Sequence, residues 1–539
     1  MSKFKEISPS TAYWILALPL WAIFSWAAFN FQPGVYSIAG DFWEHSAVFH
    51  AWLQDLWHPQ NPHVSSDEGS PRYMPFFFVI TVLSKAFGFT ALQAMGTAGV
   101  VSITVFMIGN KLFADRYFCN PWAAPICLLV FLCGWGVGWH WSNVYQLRGI
   151  FRVISYPSFF VFAFGFIAYW WLLGLIKSAT LPLWRSIVLA LMVSILFSSH
   201  PLTGVAIIVT MGLMITLAED VRLRRRVALL SVLAAGSLLV ELWPYFSTWQ
   251  ITLGTSGGES SSWVSSASFE FLSRAKTLYS GHPFYQPHQI LLTFGPALLG
   301  IPLVFYLLVK ERNWFLFAGC AIFSIPYLLN LFVPIPLGHR FLLYVIFFLH
   351  LSLVWFFLKV IVGQRHVAWM KYAGIPLFSR YAGIRLLSAM VLWNVGLAGG
   401  ELLGYSLNPG PGLWNRNKQE RTVVDDMQAV ANVVPSDAVI MAPDILAWPI
   451  PTFVGKVVSV FHRNPMIKDA NQRQKDVETF FNTDAPLEDR QKIIKRYHVT
   501  HVLFDTKQVT PKLSIVLSAI PGSRTRIYDL MVITLPDAN

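Results

Sequence analysis

The chain has 539 residues, of which 55% are hydrophobic and only 13% charged, with 22 Trp and 43 Phe. Soluble domains carry about 25% charged residues, so the composition excludes an ordinary soluble enzyme and points to an α-helical integral membrane protein. The formal net charge of +12 gives no reason to invoke nucleic acid, because Lys and Arg at the cytoplasmic ends of membrane helices produce the same bias.

The charge is unevenly spread. Residues 406–539 hold 14 of the 28 acidic and 16 of the 40 basic residues, whereas residues 1–405 hold 24 basic against 14 acidic. The chain therefore divides into a multi-span membrane domain, 1–405, and a soluble domain, 406–539. Cys119, Cys127, Cys133 and Cys320 all lie in or beside apolar runs, and no CxxC or Cys/His spacing suggests zinc. They read as buried small apolar residues.

The basic leader MSKFKEISPS precedes TAYWILALPLWAIFSWAAFN, a long, bulky run without a small-residue cleavage site and hence a retained anchor. The stretch GDFWEHSAVFHAWLQDLWHPQNPH, 40–63, follows. It sets Asp41, Glu44 and His45 within one turn of an aromatic-rich amphipathic helix that ends by Pro59. Two readings stand side by side. In one, Asp41 is an N-cap and Glu44 closes a capping box, while Phe42, Phe49, Leu53 and Leu56 form a face that lies on lipid. In the other, Asp41 is a general base at the water–lipid boundary, with Glu44 and His45 as its catalytic neighbours. His58 and His63 flank PQNP at a spacing unlike that of helical metal ligands.

The segment YMPFFFVITVLSKAFGF, 73–89, decides the threading. If it crosses, LRRR at 223–226 and most later basic loops fall outside; if it lies in or dips into the outer interface, 17 basic residues fall inside and 7 outside. Orientation follows that bias in short loops. The predicted spans are then about 11–30, 92–113, 121–137, 157–176, 184–199, 202–218, 227–247, 288–309, 314–332, 341–362 and 384–404, eleven crossings with the N-terminus cytoplasmic and the C-terminal domain exoplasmic. The outer face collects loop 31–91, the segment 140–158, the Ser/Gly-rich loop 253–287 and PIPLGHR at 334–340. Among ionisable groups near the spans, His200 in SSHPLTG, Glu241 and Glu401 fall at outer ends, and His350 near mid-span is expected to bond a neighbouring helix. In the last domain, DAVIMA (437–442), KVVSVF (456–461) and THVLFD (500–505) read as strands, with helices around 470–481 and 486–497. That alternation predicts a small α/β domain, and it carries no Gly-rich phosphate loop.

An acidic residue just after the first span, a Pro-rich aromatic segment PRYMPFFFVITVLSKAFGF before the second, the basic exit NKLFADRYF and a soluble C-terminal domain together resemble the GT-C superfamily of membrane glycosyltransferases. The usual acidic pair is not adjacent here, since Phe42 follows Asp41. Glu44 or the pair Asp67-Glu68 would supply a second carboxylate, and this leaves any divalent-metal requirement open.

The resemblance implies a donor sugar on a polyprenyl phosphate, transferred at the exoplasmic face to a lipid, glycan or protein acceptor in cell-envelope or protein glycosylation. A bacterial inner or plasma membrane is the expected location. The anionic leaving group then calls for fixed cations. Arg340, with His339 beside it, and Arg148 with Arg152, four apart and so on one helical face, are the candidates, because a guanidinium grips phosphate bidentately. Arg72, Tyr73 and His200 are further candidates for the pocket. The alternatives are a lipid or glycan transporter, or an exoplasmic glycan polymerase or ligase of another fold using Arg274, Lys276 and His282.

Overall fold

A computed structural model describes residues 7–30, 41–137, 144–219, 221–253, 286–332, 335, 337–362, 380–407, 423–460, 464 and 466–536. Arg274, Lys276, His282 and most of loop 253–287 lie outside the described residues. The chain forms two compact units. One comprises Met1–Ala27, Gly99–Leu242 and Ser262–Gly404; the other comprises Ala28–Ala98, Trp243–Ser261 and Tyr405–Asn539.

In chain order the first helices are α1 (Pro9–Asn30), α2 (Asp41–Gln54), α3 (Pro75–Ala86), α4 (Ala91–Phe118), α5 (Ala123–Cys133), α6 (Leu147–Val153), α7 (Pro157–Lys177), α8 (Leu183–Ser199), α9 (Pro201–Thr216) and α10 (Leu223–Leu239). Among the described residues, six helices are long and apolar enough to cross a bilayer: Pro9–Asn30, Ala91–Phe118, Pro157–Lys177, Pro287–Glu311, Gly338–Val362 and Tyr381–Gly400. The protein is a multi-pass membrane protein. Each of the eleven expected spans coincides with a helix, but the count of eleven is not reached on length. Helix α5 has 11 residues, α8 17, α9 16 and Trp314–Leu329 16, or about 16–26 Å at 1.5 Å per residue. The causes are local. Helix α5 stops at Gly134, where a Cβ would sit 2.6 Å from His350 Nε2, and Pro201 separates α8 from α9. Helix α10 opens on Arg224 to Arg226, and α3, at 12 residues, is about 18 Å long against a hydrocarbon core of about 30 Å.

Within the membrane unit, small residues and a few polar contacts do the joining, as expected where apolar burial alone gives no preference between lipid and protein. Gly165 lies against Ile207 and Gly319 against Phe348, each too close for a Cβ. Tyr13 Oη donates to the Met107 carbonyl at 2.5 Å and Trp21 Nε1 to Thr104 Oγ1 at 2.8 Å, tying α1 to α4. Asn394 Nδ2 donates to the Cys133 carbonyl at 2.8 Å. The most buried span is Gly338–Val362. Its His350 is fully buried and bonds Tyr145 Oη at 3.1 Å, beside Phe131 and Trp135.

The second unit is built on a five-stranded sheet of order β2-β1-β3-β5-β4, with β1 (Val439–Met441), β2 (Lys456–Val457), β3 (His501–Asp505), β4 (Ser523–Ile527) and β5 (Leu530–Thr534). The first three run parallel, and β5 is antiparallel to both β3 and β4. The expected strands and both expected helices are present, the latter as Ala470–Phe480 and Leu487–Tyr497. The hairpin β4–β5 is additional. SRTRI is exposed at its first four positions, so it carries no apolar alternation by which a sequence reading finds a strand. Both faces of the sheet are covered. Ile440, Leu503 and Val532 pack in one core, and Val439, Met441, Val502 and Phe504 in the other with Phe480 and Ile493. The loop that follows α2 joins this sheet directly. Val64 sits in the first core and bridges Val457 in parallel, whose N–H donates to the His63 carbonyl at 2.9 Å. The loop thus covers the β2 edge, which would otherwise present unpaired backbone groups. Ala28–Ala98 and Tyr405–Asn539 thus fall in one compact unit, on both sides of the boundary expected near residue 405.

Candidate active site

Helix α2, DFWEHSAVFHAWLQ, has no internal Gly or Pro and carries Asp41 and Glu44 in its first turn, where carboxylates favour the positive end of the helix dipole. Its end is set by Asp55, whose Oδ1 accepts the N–H groups of Trp57 and His58, both at 3.0 Å. Residues 42–49, 51 and 52 are all buried. The expected lipid-lying face is therefore corrected: Phe49 is fully buried and Phe42 nearly so, because the helix is sandwiched inside its own unit. Phe49 packs on Phe77 of α3 at 4.8 Å between ring centroids. On another side Ser46 Oγ bonds Thr452 Oγ1 at 2.6 Å, and Thr452 Oγ1 also donates to the Trp43 carbonyl at 3.3 Å. Trp52 packs at a tilt against Tyr73 and edge-on against Tyr245, at 4.7 and 5.4 Å between ring centroids.

This packing fixes an acidic pair with unequal access. Glu44 is 1% exposed and Asp41 38% exposed at their side chains. Arg72 serves both. Its Nη2 pairs with Glu44 Oε2 and lies 3.9 Å from Asp41 Oδ1. The other Glu44 oxygen, Oε1, accepts Trp448 Nε1–H at 3.0 Å, and the Glu44 carbonyl meets His63 Nε2 at 3.0 Å. His45 is buried, edge-on to Phe77 at 5.0 Å. Burial pushes His63 down to about 3 and His50 down to about 4, with Lys456 nearby adding to both, and burial brings Lys456 itself down to about 8. Both imidazoles are neutral at pH 7.

Other candidates in this unit take different places. Glu68 Oε2 accepts the Lys468 N–H at 3.2 Å, and Asn61 Nδ2 donates to the Glu68 and Gly69 carbonyls at 3.0 and 3.1 Å, so Glu68 fastens the loop to the C-terminal segment. Asp67 is exposed. Tyr73 is buried; its Oη donates to the Gln60 carbonyl, and the Tyr73 carbonyl accepts Trp243 Nε1–H at 2.6 Å. The structure joins Asp41, Glu44 and Arg72, and adds Trp448, which the sequence reading did not single out. No spacing could have found it, since it lies 404 positions from Glu44; the aromatic, Pro-rich run WPIPTF is the only local signal.

In the membrane unit, Arg148 and Arg152 stand on one side of the seven-residue α6. Both are half-buried, and Arg148 Nη1 donates to the Val137 carbonyl at 3.2 Å. His339 and Arg340 lie on the 3-10 turn Gly338–Phe341 that opens the helix Leu342–Phe357, following Leu337 in the left-handed region at φ 54°. His200 caps α9, its Nδ1 accepting the Thr203 N–H at 3.3 Å. Among the described residues no group of three or more His, Cys, Asp or Glu side chains is placed to hold a metal ion.

No protein-family profile matches the chain, and no curated protein matches it in sequence. Solved structures do. The apo oligosaccharyltransferase of Archaeoglobus fulgidus superposes with a TM-score of 0.55 at 13% identity, over 94% of this chain and 70% of that one. ArnT from Cupriavidus metallidurans, also apo, superposes with a TM-score of 0.55 at 12% identity, over 98% of both chains. Both are GT-C membrane glycosyltransferases. The chain has the GT-C fold. Asp41 lies in the compact unit that joins Ala28–Ala98 with Tyr405–Asn539.

Proposed function

We propose that this protein is a glycosyltransferase that moves a sugar from a polyprenyl-phosphate donor to an acceptor hydroxyl at the exoplasmic face, with Asp41 as the general base. The observation that carries this is the split between the carboxylates: Asp41 open to solvent, Glu44 closed off, and Arg72 paired to Glu44 and 3.9 Å from Asp41. An open carboxylate held beside a fixed guanidinium can take the acceptor O–H proton as the oxygen attacks the anomeric carbon. The bond from that carbon to phosphate oxygen breaks, and polyprenyl phosphate leaves with the electron pair. Arg340, Arg148 and Arg152 are the proposed ligands of that phosphate, since a guanidinium matches its geometry and charge.

The GT-C fold across the whole chain supports this reading over a transporter or a polymerase of another fold. The Archaeoglobus fulgidus enzyme has been solved tethered to an acceptor peptide, so a protein acceptor belongs in the same test as lipid and glycan acceptors. That test incubates purified protein with a panel of undecaprenyl-phosphate hexoses and pentoses and measures release of undecaprenyl phosphate. Release from at least one donor, lost in Asp41→Asn, is expected. Consumption of none, or equal consumption by Asp41→Asn, would overturn the assignment.

A further inference from the structure

We infer that Trp448, in the C-terminal segment, is a positioning residue for the reaction, acting through Glu44 and Arg72 on Asp41. This rests on the glycosyltransferase reading above. Glu44 is an unusual residue to find 1% exposed, because a carboxylate taken out of water is costly unless charge and hydrogen bonds replace its hydration. Here one oxygen takes the Arg72 guanidinium and the other takes Trp448 Nε1–H at 3.0 Å. An indole N–H is a donor only, on a side chain with two rotatable bonds, so it fixes the carboxylate plane in one orientation. That plane sets where Arg72 can pair, and Arg72 reaches toward Asp41 at 3.9 Å from the same Nη2.

The neighbouring contacts show that this bond is additional to docking. Ser46–Thr452, the Thr452 bond to the Trp43 carbonyl, and Trp43 on Phe453 at 6.0 Å between ring centroids already hold α2 against the short helix Ile450–Phe453. None of them touches a charged group. Trp448 alone among these contacts ends on the carboxylate. Trp448 is itself buried, at 9% exposure, and its ring fills space that Phe would also fill, so the N–H can be removed without emptying the site.

The test is Trp448→Phe, assayed on the full-length protein by undecaprenyl-phosphate release from whichever panel donor the wild type consumes. A fall in kcat of about 10-fold, the scale of a small misplacement of a reacting group, is expected, with donor KM unchanged; the thermal midpoint falls as well, because the buried carboxylate loses a hydrogen bond, so the kcat loss is the readout that separates this variant from a docking defect. In a Glu44→Gln background, Trp448→Phe is expected to add less than 2-fold, because its route to Asp41 is already cut. Thr452→Val, which loosens docking only, is expected to lower the thermal midpoint and leave kcat alone. Wild-type kcat in Trp448→Phe, full additivity with Glu44→Gln, or an equal kcat loss in Thr452→Val would each overturn the inference. If Asp41→Asn is dead while Trp448→Phe is fully active, this inference fails and the glycosyltransferase reading stands. If Asp41→Asn is fully active, it is that reading that fails.

Discussion

Arg72 Nη2 stands 3.9 Å from Asp41 Oδ1 while pairing with the buried Glu44. The guanidinium is thus held from below by a carboxylate that water does not reach, and presented to one that water does. Asp41→Asn isolates the second relationship. Asn is itself a good N-cap, so the helix start is kept and only the capacity to accept a proton is lost. Turnover is expected to fall by about 10²–10⁴-fold, with the thermal midpoint near wild type. Measured donor consumption close to wild type would mean that Asp41 is a cap and no more, and Asp67, another exposed acid of the loop, would be the next to test.

The pair Arg72–Glu44 separates stability from chemistry. Removing only the cation, as in Arg72→Met, leaves a carboxylate buried without its counter-charge, which costs about 3–5 kcal/mol. Neutralising both, in Arg72→Met with Glu44→Gln, is expected to recover most of that stability, because Gln can still accept the Trp448 N–H. Activity is not expected to return with it. Denaturant unfolding and donor turnover of the wild type and the two variants decide the matter. A double variant as unstable as Arg72→Met would show that Arg72 contributes through packing and not through charge.

The membrane helices were legible because about 20 consecutive apolar residues have few other uses. The acid cluster was legible because Asp41, Glu44 and His45 fall within one turn. Two features of α2 were not. Its burial was hidden because a helix rich in Phe and Trp has the same composition whether it meets lipid or protein, and only the partners Phe77, Thr452 and Phe453 tell the cases apart. Its link to Trp448 was hidden by distance along the chain. Likewise Val64 carries no mark in the sequence that it would bridge Val457. The edge strand SRTRI was missed because its side chains face water.

Acid should loosen the segment 41–64 through its histidines. His63 is held near 3 and His50 near 4 by burial, below the ordinary value of 6.5. Because their folded values are depressed, both are neutral in the folded protein, while the unfolded chain binds protons once the pH drops below about 6.5. The stability present above that pH is therefore lost progressively as the pH falls toward 4, at about 1.4 kcal/mol per pH unit for each histidine. Hydrogen exchange of residues 41–64 is expected to quicken between pH 7 and pH 5 after correction for the intrinsic rate, and His63→Gln to flatten that dependence. Equal pH dependence in the wild type and His63→Gln would sink the assignment to His63.

Arg340 offers a test of phosphate binding that does not depend on Asp41. It lies on the 3-10 turn that opens Leu342–Phe357, a helix start whose N–H groups also favour an anion. Arg340→Ala is expected to raise donor KM by about 10-fold, and Arg340→Lys to recover only part of the loss, since an ammonium lacks the planar fork. Wild-type turnover at limiting donor in Arg340→Ala would make Arg340 a lipid-headgroup anchor, and Arg148 with Arg152 would become the pair to test.

The proposed site requires Asp41 and the C-terminal segment on the exoplasmic side, and the chain supplies reporters for both sides. Ser436 is exposed, beside β1. Cys119 is a native exposed thiol just beyond α4. The expected threading, with 17 basic residues inside and 7 outside, predicts Ser436 outside and Cys119 inside. A membrane-impermeant maleimide applied to intact cells is therefore expected to label Ser436→Cys in a Cys119→Ser background, and to leave the native Cys119 unlabelled until the membrane is opened. The two reporters must also differ in the same preparation, which guards against leaky cells. Labelling of Ser436→Cys only after lysis would invert the threading. The 12-residue α3, at about 18 Å, would then have to be part of a crossing, and Asp41 could not meet an acceptor arriving from outside.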